Sequence, residues 1–306
     1  MSQSEKTKIT IVVLLGGNSV ERDISLKSGA SVALALQNLG YNVVKIDPQD
    51  IAWQGQLDNA QASYVFITLH GKDGEDGVMQ GYLELKGIPY SGSGVLGSAL
   101  AMHKDKSKLL WQQHGLSTLP FITFDTLHNI DYSWFEQVSP PYSLKVVNGG
   151  SSIGVKKIVS QDQLVSSFAE IKDLGSLFML EKWANGAEYA VGIINGKALP
   201  VVEITPAVDF YDYDAKYIRK DTKYLCPSNL SVAHEKSLQD IALKAFEAIG
   251  CSHFGRVDFI SDNDNYYLLE INAIPGFTEK SLFPLAASNI GLSFEDLVSQ
   301  LLPDFS

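Results

Sequence analysis

Near the C-terminal end of the sequence, residues 255–260 and 266–272 alternate apolar and polar side chains, with Asp262-Asn263-Asp264-Asn265 between them. A period of two sends successive side chains to opposite faces of a strand, and Asp-Asn runs are turn formers, so this stretch predicts an antiparallel hairpin. Val257 and Phe259 share one face of the first strand, as do Leu269 and Ile271 on the second. Arg256, Asp258, Glu270 and Asn272 take the other face. Closing the hairpin about its turn brings Asp258 opposite Glu270 and Arg256 opposite Asn272, to within about a residue of register. Two carboxylates opposed across a sheet repel unless a cation lies between them. Asp, Glu and Asn are hard oxygen donors that suit Mg²⁺, which takes one or two carboxylates together with substrate phosphates. Any one of these acids fits a solvated hairpin face equally well. The set as a whole, backed by apolar residues, favours a metal site.

Upstream of the hairpin the pattern is different. Residues 10–15 are a continuous apolar run that reads as a buried parallel strand, ending in the turn Gly16-Gly17-Asn18-Ser19. Val32, Leu36 and Leu39 recur at helical spacing, with Gly40 as the stop. Residues 42–46 and 64–69 predict further strands, 81–85 a helix, and 88–90 a short strand. Such alternation indicates a small doubly wound α/β unit over residues 1–103. After a helix at 104–114, short strands at 121–124, 142–147, 155–159 and 177–181 surround a helix at 161–171. This is an α+β lobe, residues 104–182. The last unit, residues 183–306, has strands at 189–194 and 199–204, then a long polar-aromatic segment, 205–230, of the kind that forms lids. A helix at 234–249 precedes the hairpin.

The whole chain of 306 residues is long enough for more than one domain, at roughly 150 residues each. Its formal charge of −11 argues against a nucleic-acid binder, which shows a basic face. The longest apolar run falls well short of the ~20 residues a membrane span needs. The polar opening MSQSEKTK lacks the apolar core of a secretion signal, and neither Cys226 nor Cys251 sits in a CxxC pattern. A cytoplasmic protein without a membrane partner is expected.

Two glycine-rich stretches bear on phosphate binding. Lys145 lies on a predicted strand that leads into Gly149-Gly150-Ser151-Ser152-Ile153-Gly154, where exposed backbone N–H groups can wrap anionic oxygens. It is not a Walker A loop, since no Lys-Ser/Thr follows and a strand comes next; an ordinary hairpin turn fits it equally. Gly92-Ser93-Gly94-Val95-Leu96-Gly97 spells a dinucleotide motif, but no strand ending in an acid follows about 20 residues on. A helix start that positions Lys104 is the better reading. Glu21-Arg22 follows the first Gly-Gly turn at the carboxyl end of a strand, where open α/β sheets bind ligands. His70, at the end of the third strand, reads either as a hinge or as a site residue.

Taken in order, Glu21-Arg22-Asp23, His70-Gly71, Gly74-Glu75-Asp76-Gly77, Gly150-Ser151-Ser152-Ile153-Gly154, Tyr211-Asp212-Tyr213-Asp214-Ala215-Lys216-Tyr217, Gly255-Arg256-Val257-Asp258 and Glu270-Ile271-Asn272 resemble the D-alanine–D-alanine ligase family. That family belongs to the ATP-grasp carboxylate–amine ligases, and the likeness runs over residues 9–302. It implies a doubly wound, Rossmann-like α/β N-terminal domain followed by a two-lobed α+β ATP-grasp domain. It also implies that ATP phosphorylates one D-alanine, and that the amine of a second displaces phosphate from the acyl phosphate.

The resemblance assigns roles residue by residue. Asp258, Glu270 and Asn272 would bind two Mg²⁺ (or Mn²⁺) ions. Lys104, Lys145 and Lys216 would contact phosphates, with Ser152 in the glycine-serine lid. Glu181, Lys182 and Trp183 would edge the adenine, and Glu188 would take the ribose hydroxyls. Glu21 would accept the first D-alanine's ammonium, linked through Ser151 to Tyr217. Arg256 and the Gly276 N–H would form an oxyanion hole, and Ser281 would receive the second D-alanine's carboxylate. The segment 205–230 would be an ω-shaped loop closing over the reactants, and Tyr217 on it favours an amine as second substrate. A homodimer is implied as well. Val146, Asn148-Gly149, His103 and Ala273 depart from the usual family pattern, but none removes a metal ligand or a phosphate-contacting lysine. The alternatives are a ligase that takes D-lactate as second substrate, a nucleotide-binding module without turnover and, on Gly92 to Gly97 alone, an NAD-dependent oxidoreductase.

Overall fold

A computed structural model describes residues 3–151, 153–205, 222–263, 265–278 and 280–305. The first sheet is parallel: β1 (Thr10–Leu14) lies between β2 (Asn42–Ile46) and β3 (Tyr64–Ile67). After Thr10 its central strand is apolar because both faces are covered, and Ile11, Val12, Val13 and Leu14 are fully buried. Residues 88–90, expected to be a strand, contribute only the isolated parallel bridge Val65–Tyr90. Pro89 has no N–H to donate, which prevents a regular ladder there.

The second sheet is antiparallel, in the order β4 (Phe121–Phe124), β7 (Phe178–Lys182), β5 (Tyr142–Val146), β6 (Lys156–Ile158). The helix Gln161–Ile171 packs behind it, capped by Ser160, whose side chain accepts from the Gln163 N–H. The third sheet runs β11 (Lys223–Leu225), β10 (Val202–Thr205), β8 (Glu188–Ile194), β12 (Phe254–Asp262), β13 (Asn265–Asn272). The two-residue strand β9 (Lys197–Ala198) pairs with β8 at one side. Strand β11 falls inside the segment read from sequence as one long lid: residues 223–225 return antiparallel to β10. The core of that lid, residues 206–221, lies outside the described residues.

The first and last units share a core. Phe66 of β3 stacks on Phe254 of β12 and meets Phe277 edge-on, at centroid distances of 6.3 Å and 5.5 Å. The helix Arg22–Asn38 contributes Val32, Ala33 and Leu36 to the same cluster, with Leu297 and Val298 of the helix Phe294–Gln300. The carboxyl end of the parallel sheet is thereby fixed against the third sheet. The Gly92 to Gly97 motif serves this packing as well. A Cβ at Gly97 would stand 2.5 Å from the Gly250 carbonyl, so the helix Val95–Met102 approaches the loop before β12 as only a glycine allows. That contact explains the last glycine of the motif without a dinucleotide.

His70 follows β3 and is buried at 5% exposure, its Nε2 3.5 Å from the Ser28 hydroxyl. Burial pushes its imidazole down from 6.5 to about 4. The folded chain thus holds His70 neutral where the unfolded chain binds a proton. That contribution to stability is complete above pH 6.5 and is lost as the pH falls towards 4. Between about pH 7 and about pH 5 the loss amounts to about 2 kcal/mol. His70→Gln should flatten the fall of Tm across this interval. Parallel Tm–pH curves for the variant and the parent chain would show that His70 does not carry it.

Candidate active site

The hairpin pairs as its sequence predicts: Asp258 lies opposite Glu270, and Arg256 opposite Asn272. Each acid has its own cation. Arg256 grips Asp258 with two bonds of 2.7 Å, Nε to Oδ1 and Nη2 to Oδ2. Lys104 Nζ stands 3.0 Å from Glu270 Oε2 and also donates to the Gly149 carbonyl at 2.5 Å. Asn272 Oδ1 is buried and accepts no hydrogen bond from the described residues. The reverse face differs from expectation in one place. The register shifts between Asp258 and Phe259, so Phe259 pairs with Leu268. Leu268 rather than Leu269 enters the core, and the bulge turns Leu269 onto the wall of the cleft. A strict period of two cannot register an extra residue.

That cleft has a volume of ≈ 1550 Å³ and lies where the three sheets meet. Glu21, Lys104, Lys145, Ser151, Glu181, Lys182, Trp183 and Glu188 all line it. So do Arg256, Asp258, Glu270, Asn272, Gly276 and Ser281. Ser152, Lys216 and Tyr217 lie outside the described residues.

The first sheet delivers Glu21. Arg22 donates to Asp47 and to the Gly17 carbonyl, and Asp47 accepts from the Gly17 N–H, which pins the loop after β1. Glu21, at the start of the helix Arg22–Asn38, accepts a hydrogen bond from the Ser151 hydroxyl. A Cβ at Gly150 would meet Glu21 Oε2 at 2.7 Å, so that glycine lets the glycine-serine turn close on the carboxylate. Glu75 stands beside this pair. Its Oε1 accepts from the Gly71 N–H at 2.8 Å, and its Oε2 is shielded with no partner among the described residues. Burial, with the Glu21 charge adding to it, pushes the Glu75 carboxyl up to about 8.

The second sheet delivers the cationic end. Glu181, 1% exposed, lies 2.6 Å from both Lys145 and Lys108. Burial raises its carboxyl, but the two ammonium groups outweigh that and hold it below the usual value. Its side chain faces lysines, so its place at an adenine edge would be through the backbone. Lys182 likewise turns its ammonium to the Ser139 and Pro140 carbonyls. Trp183 is buried, with Lys157 Nζ 4.6 Å from its ring centroid. At the far side Ser281 precedes the helix Leu282–Asn289, and its Oγ accepts from the Thr278 N–H. A Cβ at Gly276 would come within 2.8 Å of that hydroxyl.

Sequence reasoning assigned no role to Glu75 or Lys108. The one signal for Lys108 is its place three residues before Trp111, on the buried stripe of the helix Lys104–Gln113. No group of three or more His, Cys, Asp or Glu is placed to hold a metal ion among the described residues. Two carboxylates and an orphaned amide oxygen fit a hard cation that completes its shell with phosphate oxygens.

The family model described as D-ala D-ala ligase C-terminus matches residues 110–303, and that described as D-ala D-ala ligase N-terminus matches 48–93. The D-alanine–D-alanine ligase of Pseudoalteromonas translucida (strain TAC 125) is 44% identical over 294 residues, 95% of each chain. The crystal structure of D-alanine–D-alanine ligase from Bacillus anthracis complexed with ATP superposes with a TM-score of 0.85 at 28% identity, covering 96% of both chains. VanG D-Ala:D-Ser ligase from Enterococcus faecalis gives 0.84 at 28% identity, covering 96% of this chain and 98% of that one. Matched from end to end in sequence and in fold, the chain belongs to the D-alanine–D-alanine ligase family.

Proposed function

We propose that the chain joins two molecules of D-alanine into D-alanyl-D-alanine at the expense of ATP, through a D-alanyl phosphate. What carries this reading is the meeting of three chemistries in one cleft: hard oxygen donors from the hairpin, lysines from the helix Lys104–Gln113 and the second sheet, and Glu21 beside the first sheet, which accepts from Ser151 in the turn between β5 and β6. In this reading the chain divides at residues 103/104 and 182/183, and the cleft draws side chains from all three units.

Glu21 takes the ammonium of the first D-alanine, with Ser151 holding the carboxylate in place. Lys104 and Lys145 face the triphosphate. Asp258, Glu270 and Asn272 would hold Mg²⁺ or Mn²⁺, which would neutralise charge on the phosphates as the γ-phosphoryl group moves. An oxygen of the first D-alanine's carboxylate attacks that phosphorus, and ADP leaves. The amine of the second D-alanine then attacks the acyl carbon and loses a proton, and phosphate departs as the C–N bond forms. Arg256 and the Gly276 N–H donate to the oxyanion that develops between these events. Ser281, at a helix N-terminus, receives the second carboxylate where N–H groups and the helix dipole favour an anion. No covalent nucleophile is needed, because the phosphate supplies the activation. The reading extends to peptidoglycan precursor synthesis by a cytoplasmic homodimer. No helix among the described residues is long and apolar enough to cross a membrane.

The likeness to a D-Ala:D-Ser ligase makes the second substrate the point to test. ADP release should rise on adding D-alanine and stay at background with L-alanine, D-lactate or D-serine offered alone. Mixed D-alanine and D-serine should yield chiefly D-alanyl-D-alanine by mass spectrometry, whereas a predominant D-alanyl-D-serine product would replace the proposed substrate pair. Asp258→Ala and Glu270→Ala should each abolish turnover while circular dichroism and Tm show an intact fold. Normal rates for either variant at limiting Mg²⁺ would refute the metal assignment. Arg256→Ala should lower kcat by ~10²–10³. A change confined to KM would take it out of the oxyanion role.

A further inference from the structure

Lys108 belongs to no part of the mechanism above, yet its ammonium is fully buried, with a side-chain exposure of 0%. It is held from two sides. Its Nζ lies 2.6 Å from Glu181 Oε1 on β7 and donates at 2.8 Å to the Leu268 carbonyl on β13, beside the bulge. Lys145, the other partner of Glu181, has a side-chain exposure of 12% and lines the cleft. One buried carboxylate therefore has a fixed counter-ion behind it and a second at the wall of the binding site.

The difference matters when a polyanion arrives. A carboxylate stripped of water must keep a cation, because a buried unpaired charge is strongly unfavourable. If Lys145 were the sole cation at Glu181, turning it to a phosphate would leave that carboxylate uncompensated. Lys108 cannot leave: its stem is enclosed, and its ammonium is bonded to a carbonyl of another sheet. Burial pulls it down to about 8, with Glu181 only partly offsetting this, so it is still charged at neutral pH.

We propose that Lys108 is a positioning residue for nucleotide binding, the permanent counter-ion of Glu181 that leaves Lys145 free to turn from that carboxylate to a phosphate. This rests on the reading that ATP phosphates lie beside Lys145, and the control below separates the two. Lys108 also ties the lysine-bearing sheet to the hairpin through one atom, so the distance between them is set at the buried end of the cleft.

The test is a double-mutant comparison by steady-state kinetics, with ATP varied at saturating D-alanine and D-alanine varied at saturating ATP, and circular dichroism and Tm on each variant. Lys108→Met makes Lys145 the sole partner of Glu181, and KM for ATP should rise about tenfold with KM for D-alanine unchanged. Adding Glu181→Gln removes the charge that detains Lys145, so Lys108→Met/Glu181→Gln should return KM for ATP to within about threefold of the parent value. A packing role predicts the opposite: the double variant would be as impaired as the single one, or more so. That result, or an unchanged KM for ATP in Lys108→Met, overturns the proposal. If Lys108→Met does not fold, the double variant decides alone, since it buries no charge at this position. A near-parental KM for ATP then supports the proposal, and a tenfold rise overturns it. Lys145→Met is the control. An unchanged KM for ATP in that variant removes the reading on which the proposal rests, and the proposal with it.

Discussion

Asp258 and Glu270 face each other across one antiparallel pair, an arrangement that like charges oppose and that the rest of the hairpin enforces. The enforcement comes from the reverse face. Val257, Phe259, Leu268 and Ile271 are buried against the helix Val232–Ala248, and slipping the register by one residue would bring polar groups into that core. Hydrophobic burial thus holds the two carboxylates together against their mutual repulsion. Arg256 and Lys104 screen one acid each.

The same division of labour recurs around the cleft. A chain with a net charge of −11 still assembles a cationic wall, because position rather than composition decides local potential. Lys104 is paired with Glu270, while Lys108 and Lys145 share Glu181, so these five groups leave one positive charge in excess. Beside Glu21, burial and the Glu21 charge push the Glu75 carboxyl up to about 8, so a carboxyl that keeps its proton tempers the repulsion between them.

How much of this was legible in the sequence depended on how local the signal was. The parallel strands, the helix Gln161–Ile171 and the hairpin register follow from periodicity and turn chemistry within a few residues, and their bounds agree closely with the fold. The ligand-facing roles came from resemblance, because no local rule brings Glu21 and Ser151 together across 130 positions. Lys108 was missed because a lysine in a helix reads as solvated. Only the third dimension shows that its neighbours are Glu181 and a carbonyl of another sheet. The side of Leu269 was misread because a bulge leaves no mark in a two-residue period. The β10–β11 pairing was hidden by the polar composition of the segment that contains it.

The bulge at Leu269 has a consequence for how such a cleft can diverge. Because the extra residue lies between two correctly paired stretches, its side chain decorates the pocket without taking part in the alternation that aims Glu270 and Asn272. A substitution at this single position can reshape the wall while the neighbouring oxygen donors keep their bearings. The insertion decouples contour from chemistry: the wall at Leu269 can change in size or polarity while the pairing of Asp258 with Glu270 and of Arg256 with Asn272 stays fixed.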